Sequence, residues 1–226
     1  MLLFLDDYHL GDPLFLSGLA QDLARSQRPA LLLHTGREAA ATALEAVGVL
    51  DPESMLEGEL GAHSAVVERS VRDENRSIAA ALTEAGVAAV RLMASDRGLV
   101  QPGRARLVLG DSAWIGTLLR QRSCLVLAAM DARGAAPRLL DPATLAAQLG
   151  TTLGLPIVLL TTGRASGLVV DGEVAETVEI GTLATRQDVP ARDLAAPMRD
   201  QGALVVVTSR AGAFDPRGAR GTRLSA

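Results

Sequence analysis

The 226-residue chain is long enough for one large α/β domain or two small lobes, and its 48% apolar content excludes a disordered chain. The net charge is −4, and acidic and basic residues are interspersed rather than gathered into a basic stripe, which argues against nucleic acid as a partner. All 22 lysine-plus-arginine positions are arginine, and aromatics are only 2%, so the core is built from aliphatic side chains with Trp114 as the one indole.

The single cysteine, Cys124, has no partner for an internal disulfide, which fits a reducing compartment. It opens the apolar run to Met130 and reads as a buried small hydrophobe. The opening segment MLLFLDDYH lacks the basic region of a signal peptide. No apolar run approaches the roughly 20 residues of a membrane helix. The expectation is a cytoplasmic protein with no membrane partner.

In chain order, Leu2–Leu5 is a short apolar run ending at Asp6-Asp7, which reads as a buried strand. Asp12-Pro13 is a cap followed by proline at the first helical position, and Leu16, Leu19, Ala20 and Leu23 follow at helical spacing until Pro29. Ala30–Leu33 is a second strand, and a helix through Ala39–Val47 stops at Gly48. Asp51–Ala62 is polar and irregular and reads as a loop or hairpin. Arg72–Ala85 reads as a helix and Val87–Met93 as a strand. Turn residues over Ser95–Gly103 and a short strand over Arg104–Leu109 predict a hairpin.

Asp111 or Ser112 caps a helix through Trp114, Ile115, Leu118 and Leu119, and Cys124–Ala129 is a strand. Asp141-Pro142 opens another helix through Leu145, Leu149 and Leu153, followed by a strand over Pro156–Leu160. Asp171-Gly172 within Leu168–Val174 is a hairpin turn. Val189-Pro190 opens a helix to Gln201, and Ala203–Val207 is a buried strand before a Gly-rich polar tail from Ser209 to Gly221. The alternation predicts a mainly parallel sheet covered on both faces, with hairpin insertions near 95–110 and 167–178.

Several chemistries are excluded. Without lysine there is no phosphate-binding GxxxxGK[ST] loop. No GxGxxG follows a strand, no GxSxG elbow is present, and one cysteine with dispersed His9, His34 and His63 gives no zinc spacing. What remains are glycine-bearing turns at strand ends, where open α/β sheets bind ligands. At His34-Thr35-Gly36-Arg37, Gly36 lets backbone amides approach an anion and Arg37 offers a bidentate grip. The same residues also make an ordinary tight turn with a surface arginine, and both readings stay open. At Thr161-Thr162-Gly163, followed by Ser166-Gly167, two hydroxyls beside glycines suit phosphate or ribose contacts. Asp6-Asp7 is either a solvated strand end or a place for a metal ion.

These pieces, in this order, resemble the N-acetylglutamate kinases of the amino acid kinase superfamily. Arg28–Gly36 is similar to the family's strand ending in His-Gly-Gly-Gly. Asn75 followed by Val87–Leu92 resembles its Asn…Ala-Ala-Val-Gly-Leu stretch, and Ser95–Leu99 the Gly-Asp-Gly turn. Thr144–Thr162 resembles its alanine-rich helix and Ser/Thr-Asp strand. Gly167–Gly172 resembles its Leu-Asp-Gly hairpin and Gly221–Leu224 the closing Gly-Thr-Arg-Ile strand. The resemblance implies a three-layer α/β/α sandwich. It implies an acyl-amino-acid and dimerisation lobe over 1–140, a shortened nucleotide lobe over 141–226, and a homodimer. It makes His34, Thr35, Gly36, Arg37 and Asn75 candidates for binding substrate. Thr161, Thr162, Gly163 and Gly167 become candidates for binding nucleotide.

The departures fall on the chemistry. The family's Lys-x-Gly-Gly, whose lysine contacts the transferred phosphoryl group, corresponds to Leu5-Asp6-Asp7-Tyr8, with Gly11 as the first glycine. Its Asn-Ala-Asp corresponds to Asp141-Pro142-Ala143, its Ser/Thr-Asp to Thr161-Thr162, and its second lysine has no counterpart between Gly181 and Met198. Phosphoryl transfer rests on positioning and charge stabilisation, and losing one such donor typically costs about 100- to 1,000-fold. Three readings follow. The first is a small-molecule binding or regulatory module that has lost phosphotransfer, with no catalytic residues and no metal site. The second is an active carboxylate kinase using ATP and Mg²⁺, with Arg37, Arg164 and Arg210 as cations and Asp6 or Asp7 on the metal. The third is a structural partner of an active relative. The expected ligand is an acyl amino acid or a nucleotide.

Overall fold

The computed structural model describes residues 1–101, 107–133, 137–215 and 220–225. The first half runs β1 (Leu2–Leu5), α1 (Asp7–Leu10), α2 (Pro13–Ser26), β2 (Leu31–His34), α3 (Arg37–Ala46), α4 (Pro52–Glu57), α5 (Ser64–Glu84), β3 (Ala89–Met93), α6 (Ala113–Arg120) and β4 (Cys124–Ala128). After it come β5 (Met130–Asp131), β6 (Arg138–Leu139), α7 (Pro142–Leu153), β7 (Ile157–Leu160), β8 (Val169–Val170), β9 (Glu173–Val174) and β10 (Thr177–Glu179). The chain closes with α8 (Arg192–Asp200), β11 (Val205–Thr208), α9 (Arg210–Ala213) and β12 (Thr222–Ser225).

Eight strands form one sheet in the order β10-β12-β11-β7-β1-β2-β4-β3. The run from β11 to β3 is parallel throughout, and β12 pairs antiparallel with β11. The central strands are buried on both faces, as their unbroken apolar runs require. Successive side chains alternate between the two faces. Leu2, Phe4, Leu31, Leu33, Leu125 and Leu127 pack against α6, α7 and α8, while Leu3, Leu5, Leu32 and Val126 pack against α2 and α5. A third cluster lies between α3, α4 and α5 around Leu44, Val67 and Val71. The result is three layers, helices over sheet over helices.

The predicted caps hold. Asp12 accepts from Leu14 N, and Asp141 accepts from Thr144 N at 2.7 Å. Asp171 and Gly172, at φ 51° and 86°, turn the β8–β9 hairpin with both central residues left-handed. Cys124 is buried.

Some elements differ. The segment expected to be a loop over Asp51–Ala62 contains α4, capped by Asp51 through Ser54 N at 3.1 Å. The helix expected from Arg72 begins at Ser64, because Val67 and Val71 are buried one turn apart against α3. The helix expected from Val189 begins at Arg192. The residues just after β1 form α1, an element the strand-end reading lacks. Of the hairpin expected over 95–110, Val100 and Leu109 form an antiparallel bridge. Residues 102–106 of that hairpin, and part of the polar tail at 216–219, lie outside the described residues. Among the described residues no helix is long and apolar enough to cross a membrane.

Candidate functional site

The chain leaves β1 toward β2 on one side and leaves β7 toward β11 on the other, so the connections diverge between the carboxyl ends of β1 and β7. That divergence opens a crevice, the usual ligand position in such sheets. Here α1 stands in it, with one hollow of about 390 Å³ toward β7 and β11 and another of about 590 Å³ toward α3 and α5.

Helix α1 is built by Asp6 and His9. The Asp6 carboxylate accepts from His9 N at 3.0 Å, and both its oxygens lie 2.9 Å from His9 Nδ1. The His9 ring sits 4.7 Å from the Phe15 ring and 5.4 Å from Tyr8. Asp7 lies on the opposite flank, accepting a 3.4 Å hydrogen bond from Thr35 Oγ1. Burial, then the carboxylates of Glu74, Glu38 and Asp6, push the Asp7 carboxyl up to about 6. The end of β1 is therefore crowded with negative charge.

At the end of β2, His34 is 0% exposed. Its Nδ1 donates to Glu74 Oε2 at 3.0 Å, and its Nε2 accepts from Asn75 Nδ2 at 3.2 Å. The same Asn75 amide donates to the carbonyls of Leu92 at 3.2 Å and Val126 at 3.1 Å, tying α5 to β3 and β4. Thr35 Oγ1 accepts from Arg37 N at 3.2 Å, and Gly36 takes φ 66°. A Cβ at Gly36 would meet Val71 at 3.0 Å and Glu74 at 3.2 Å, so both the backbone angle and the space require glycine. Arg37 turns away from the strand end to α4, with Nε 2.7 Å from Glu53 and Nη2 3.2 Å from Glu57.

At the end of β7, Thr161 N donates to Thr208 O and Thr162 N to Asp188 O, which holds this turn against β11 and the segment before α8. Thr161 is 5% exposed, lines the 390 Å³ hollow, and its hydroxyl has no hydrogen-bond partner among the described residues. Thr162, Gly163, Arg164, Ser209 and Arg210 complete that wall. Arg210 is held from behind, its Nε 2.8 Å from Asp22 and its Nη1 donating to Phe15 O at 3.3 Å. Gly18 makes this possible, because a Cβ there would overlap the Arg210 guanidinium. Gly167 packs away from the crevice, against Thr222 and Val174.

Thr161, Thr162 and Gly163 thus share one crevice with Tyr8, His9, Ser209 and Arg210. His34 and Asn75 are fastened into the core beneath α5, Arg37 faces α4, and Gly167 belongs to the hairpin. Sequence reasoning missed Tyr8, His9, Ser209 and the Asp22–Arg210 pair. The spacing of Asp6 and His9, a cap residue with histidine three positions on, is the one local signal that pointed to α1. Among the described residues, no group of three or more His, Cys, Asp or Glu is placed to hold a metal ion.

Comparison with solved structures decides the architecture. The N-acetylglutamate synthase from Neisseria gonorrhoeae, complexed with coenzyme A and N-acetyl-glutamate, superposes with TM-score 0.65 at 17% identity over 100% of this chain and 59% of that one. An isopentenyl phosphate kinase superposes with TM-score 0.63 at 14% identity over 99% of both chains. This chain has the amino acid kinase fold. The carbamate kinase from Giardia carries the same fold, with TM-score 0.60 at 13% identity over 99% of this chain and 97% of that one. The amino acid kinase fold seen here spans about 59% of the synthase's length, and at these identities the likeness is one of fold. No protein-family model and no curated protein matches the sequence.

Proposed function

We propose that this chain is a small-molecule binding module on an amino acid kinase fold that has lost phosphoryl transfer. The observation that carries the reading is Asp7. By the resemblance, a kinase presents a lysine ammonium at the end of this strand. Here a carboxyl stands among Asp6, Glu38 and Glu74, with its pKa raised to about 6. A migrating phosphoryl group needs positive charge at that place and meets the opposite. Of the three arginines that a rebuilt kinase would use, Arg37 is engaged with Glu53 and Glu57 and Arg210 with Asp22, which leaves Arg164 on the wall of the 390 Å³ hollow. In this reading, 1–140 serves as the acyl-amino-acid lobe and 141–226 as the nucleotide lobe.

Ligand binding is supported by Thr161, because a buried hydroxyl without a partner is rare unless something else satisfies it. The test is the melting temperature with ATP and with N-acetylglutamate at millimolar levels, in the native chain and in Thr161→Val. A ligand at 100 times its Kd stabilises by about 2.7 kcal/mol. The native chain is expected to rise in melting temperature with one of these ligands. Thr161→Val is expected to melt no lower than the native chain without ligand and to lose the ligand-dependent rise. No rise with either ligand, or a rise that survives in Thr161→Val, refutes the reading.

A further inference from the structure

A further cavity lies on the sheet face opposite α7 and α8, nearest the crevice at Thr208, whose carbonyl accepts from Thr161 N. Its volume is about 670 Å³, within the range of small-molecule sites. The strand register builds its floor. Val158 on β7 pairs with Val206 on β11, Val206 with Arg223 on β12, and Arg223 with Thr177 on β10. Residues paired across strands point to one face, so these four form a row across four strands, apolar at one end and cationic beyond it. Leu204, two residues before Val206, extends the apolar end and is exposed. Val174 of the β8–β9 hairpin and Ala213 of α9 form the walls.

Thr208 and Arg223 are the polar groups of this cavity that face its apolar floor, and the exposed Glu176 carboxylate stands at its edge. Thr208 lies on the same face, two residues beyond Val206; it is 1% exposed and its hydroxyl makes no hydrogen bond with the described residues. The Arg223 guanidinium is exposed and makes no ion pair or hydrogen bond with the described residues, while its backbone N–H donates to Glu176 O. Arg220, also lining the cavity, is paired with Asp215 at 3.3 Å. A buried hydroxyl and an unpaired guanidinium beside an apolar floor define an amphipathic anion. The guanidinium fork matches a carboxylate in shape and charge, and the valine floor matches an alkyl or aryl body.

We propose that this cavity binds a monocarboxylate with an apolar body, its carboxylate on Arg223 and within reach of Thr208, its body along Val158, Val206 and Leu204. Nothing in the proposal depends on the crevice between β1 and β7. The probe is octanoate, with octan-1-ol as the uncharged control and acetate as the control without a body, titrated by calorimetry below micelle-forming concentration. Octanoate is expected to bind at least about tenfold more tightly than either control. Arg223→Gln, a change on an exposed side chain, is expected to weaken octanoate about tenfold and leave octan-1-ol unchanged. Thr208→Val is expected to weaken octanoate while keeping the native melting temperature. Octanoate binding no tighter than octan-1-ol, or binding indifferent to both substitutions, overturns the proposal. The ATP and N-acetylglutamate melting shifts, measured in Arg223→Gln, are expected to match the native chain, which separates this cavity from the crevice.

Discussion

Arg210 Nε lies 2.8 Å from Asp22 Oδ2, so this cation of the crevice wall is tethered to the back of α2. The same Asp22 carboxylate also meets Arg25, and its side chain is largely shielded from solvent. Asp22→Asn therefore releases Arg210 with a small loss of stability, about 1 kcal/mol. The freed guanidinium can swing toward the crevice, and affinity for inorganic pyrophosphate is expected to rise severalfold. Calorimetry of the native and Asp22→Asn chains checks this. An unchanged or lower affinity shows that Arg210 does not face the anion position even when released.

Asp7 makes stability depend on pH in a defined direction. Its folded-state pKa of about 6 lies above the ordinary 3.8, so between those values the folded chain holds the proton that the unfolded chain has lost. Stability from this group is present below about pH 4 and falls as pH rises toward 6. A two-unit shift corresponds to about 2.7 kcal/mol, reduced by partial exposure to about 1–2 kcal/mol. Asp7→Asn removes the charge and is expected to raise the melting temperature at pH 7.5 while leaving it nearly unchanged at pH 3.5. Equal gains at both pH values would assign the effect to packing instead.

Asn75 joins α5 to His34, β3 and β4 through one buried amide. Asn75→Leu leaves the Leu92 and Val126 carbonyls and His34 Nε2 without their donor, and the cost is expected to be about 3 kcal/mol. Urea unfolding measures it through the midpoint at constant slope. A loss under about 1 kcal/mol would mean that the amide is not a structural tie, and would return Asn75 to the list of candidate ligand contacts.

Much of the architecture is legible in local patterns. The apolar run Leu2–Leu5 and the cap pairs Asp12-Pro13 and Asp141-Pro142 carry their structure in a few residues, and Asp171-Gly172 carries its turn. What hides from sequence is polarity that tertiary contacts override. Asp51-Pro52 has the same cap signature as its two counterparts, yet Glu53, Ser54 and Glu57 make α4 look like a loop. That omission also hid the partners of Arg37, for which an anion grip and an ordinary surface arginine both stayed open. The first two turns of α5 mix apolar and polar residues without a clear face, and Val67 and Val71 gain meaning only once α3 lies against them. That glycine and hydroxyls meet at the strand end over Thr161–Gly163 is readable, because that pattern is local. That α1 fills the centre of the crevice is not, because it depends on Asp6 meeting the His9 ring.

The most direct measurement is ADP release from ATP and Mg²⁺ by the purified chain, coupled to a dehydrogenase readout, with N-acetylglutamate and related acylated acidic amino acids as acceptors. On the proposed reading, in which carboxylates stand where a kinase would carry an ammonium, turnover is expected to stay at the background of the coupling system. Acceptor-dependent turnover of about 1 s⁻¹ or faster, the low end of ordinary enzymes, would contradict the account.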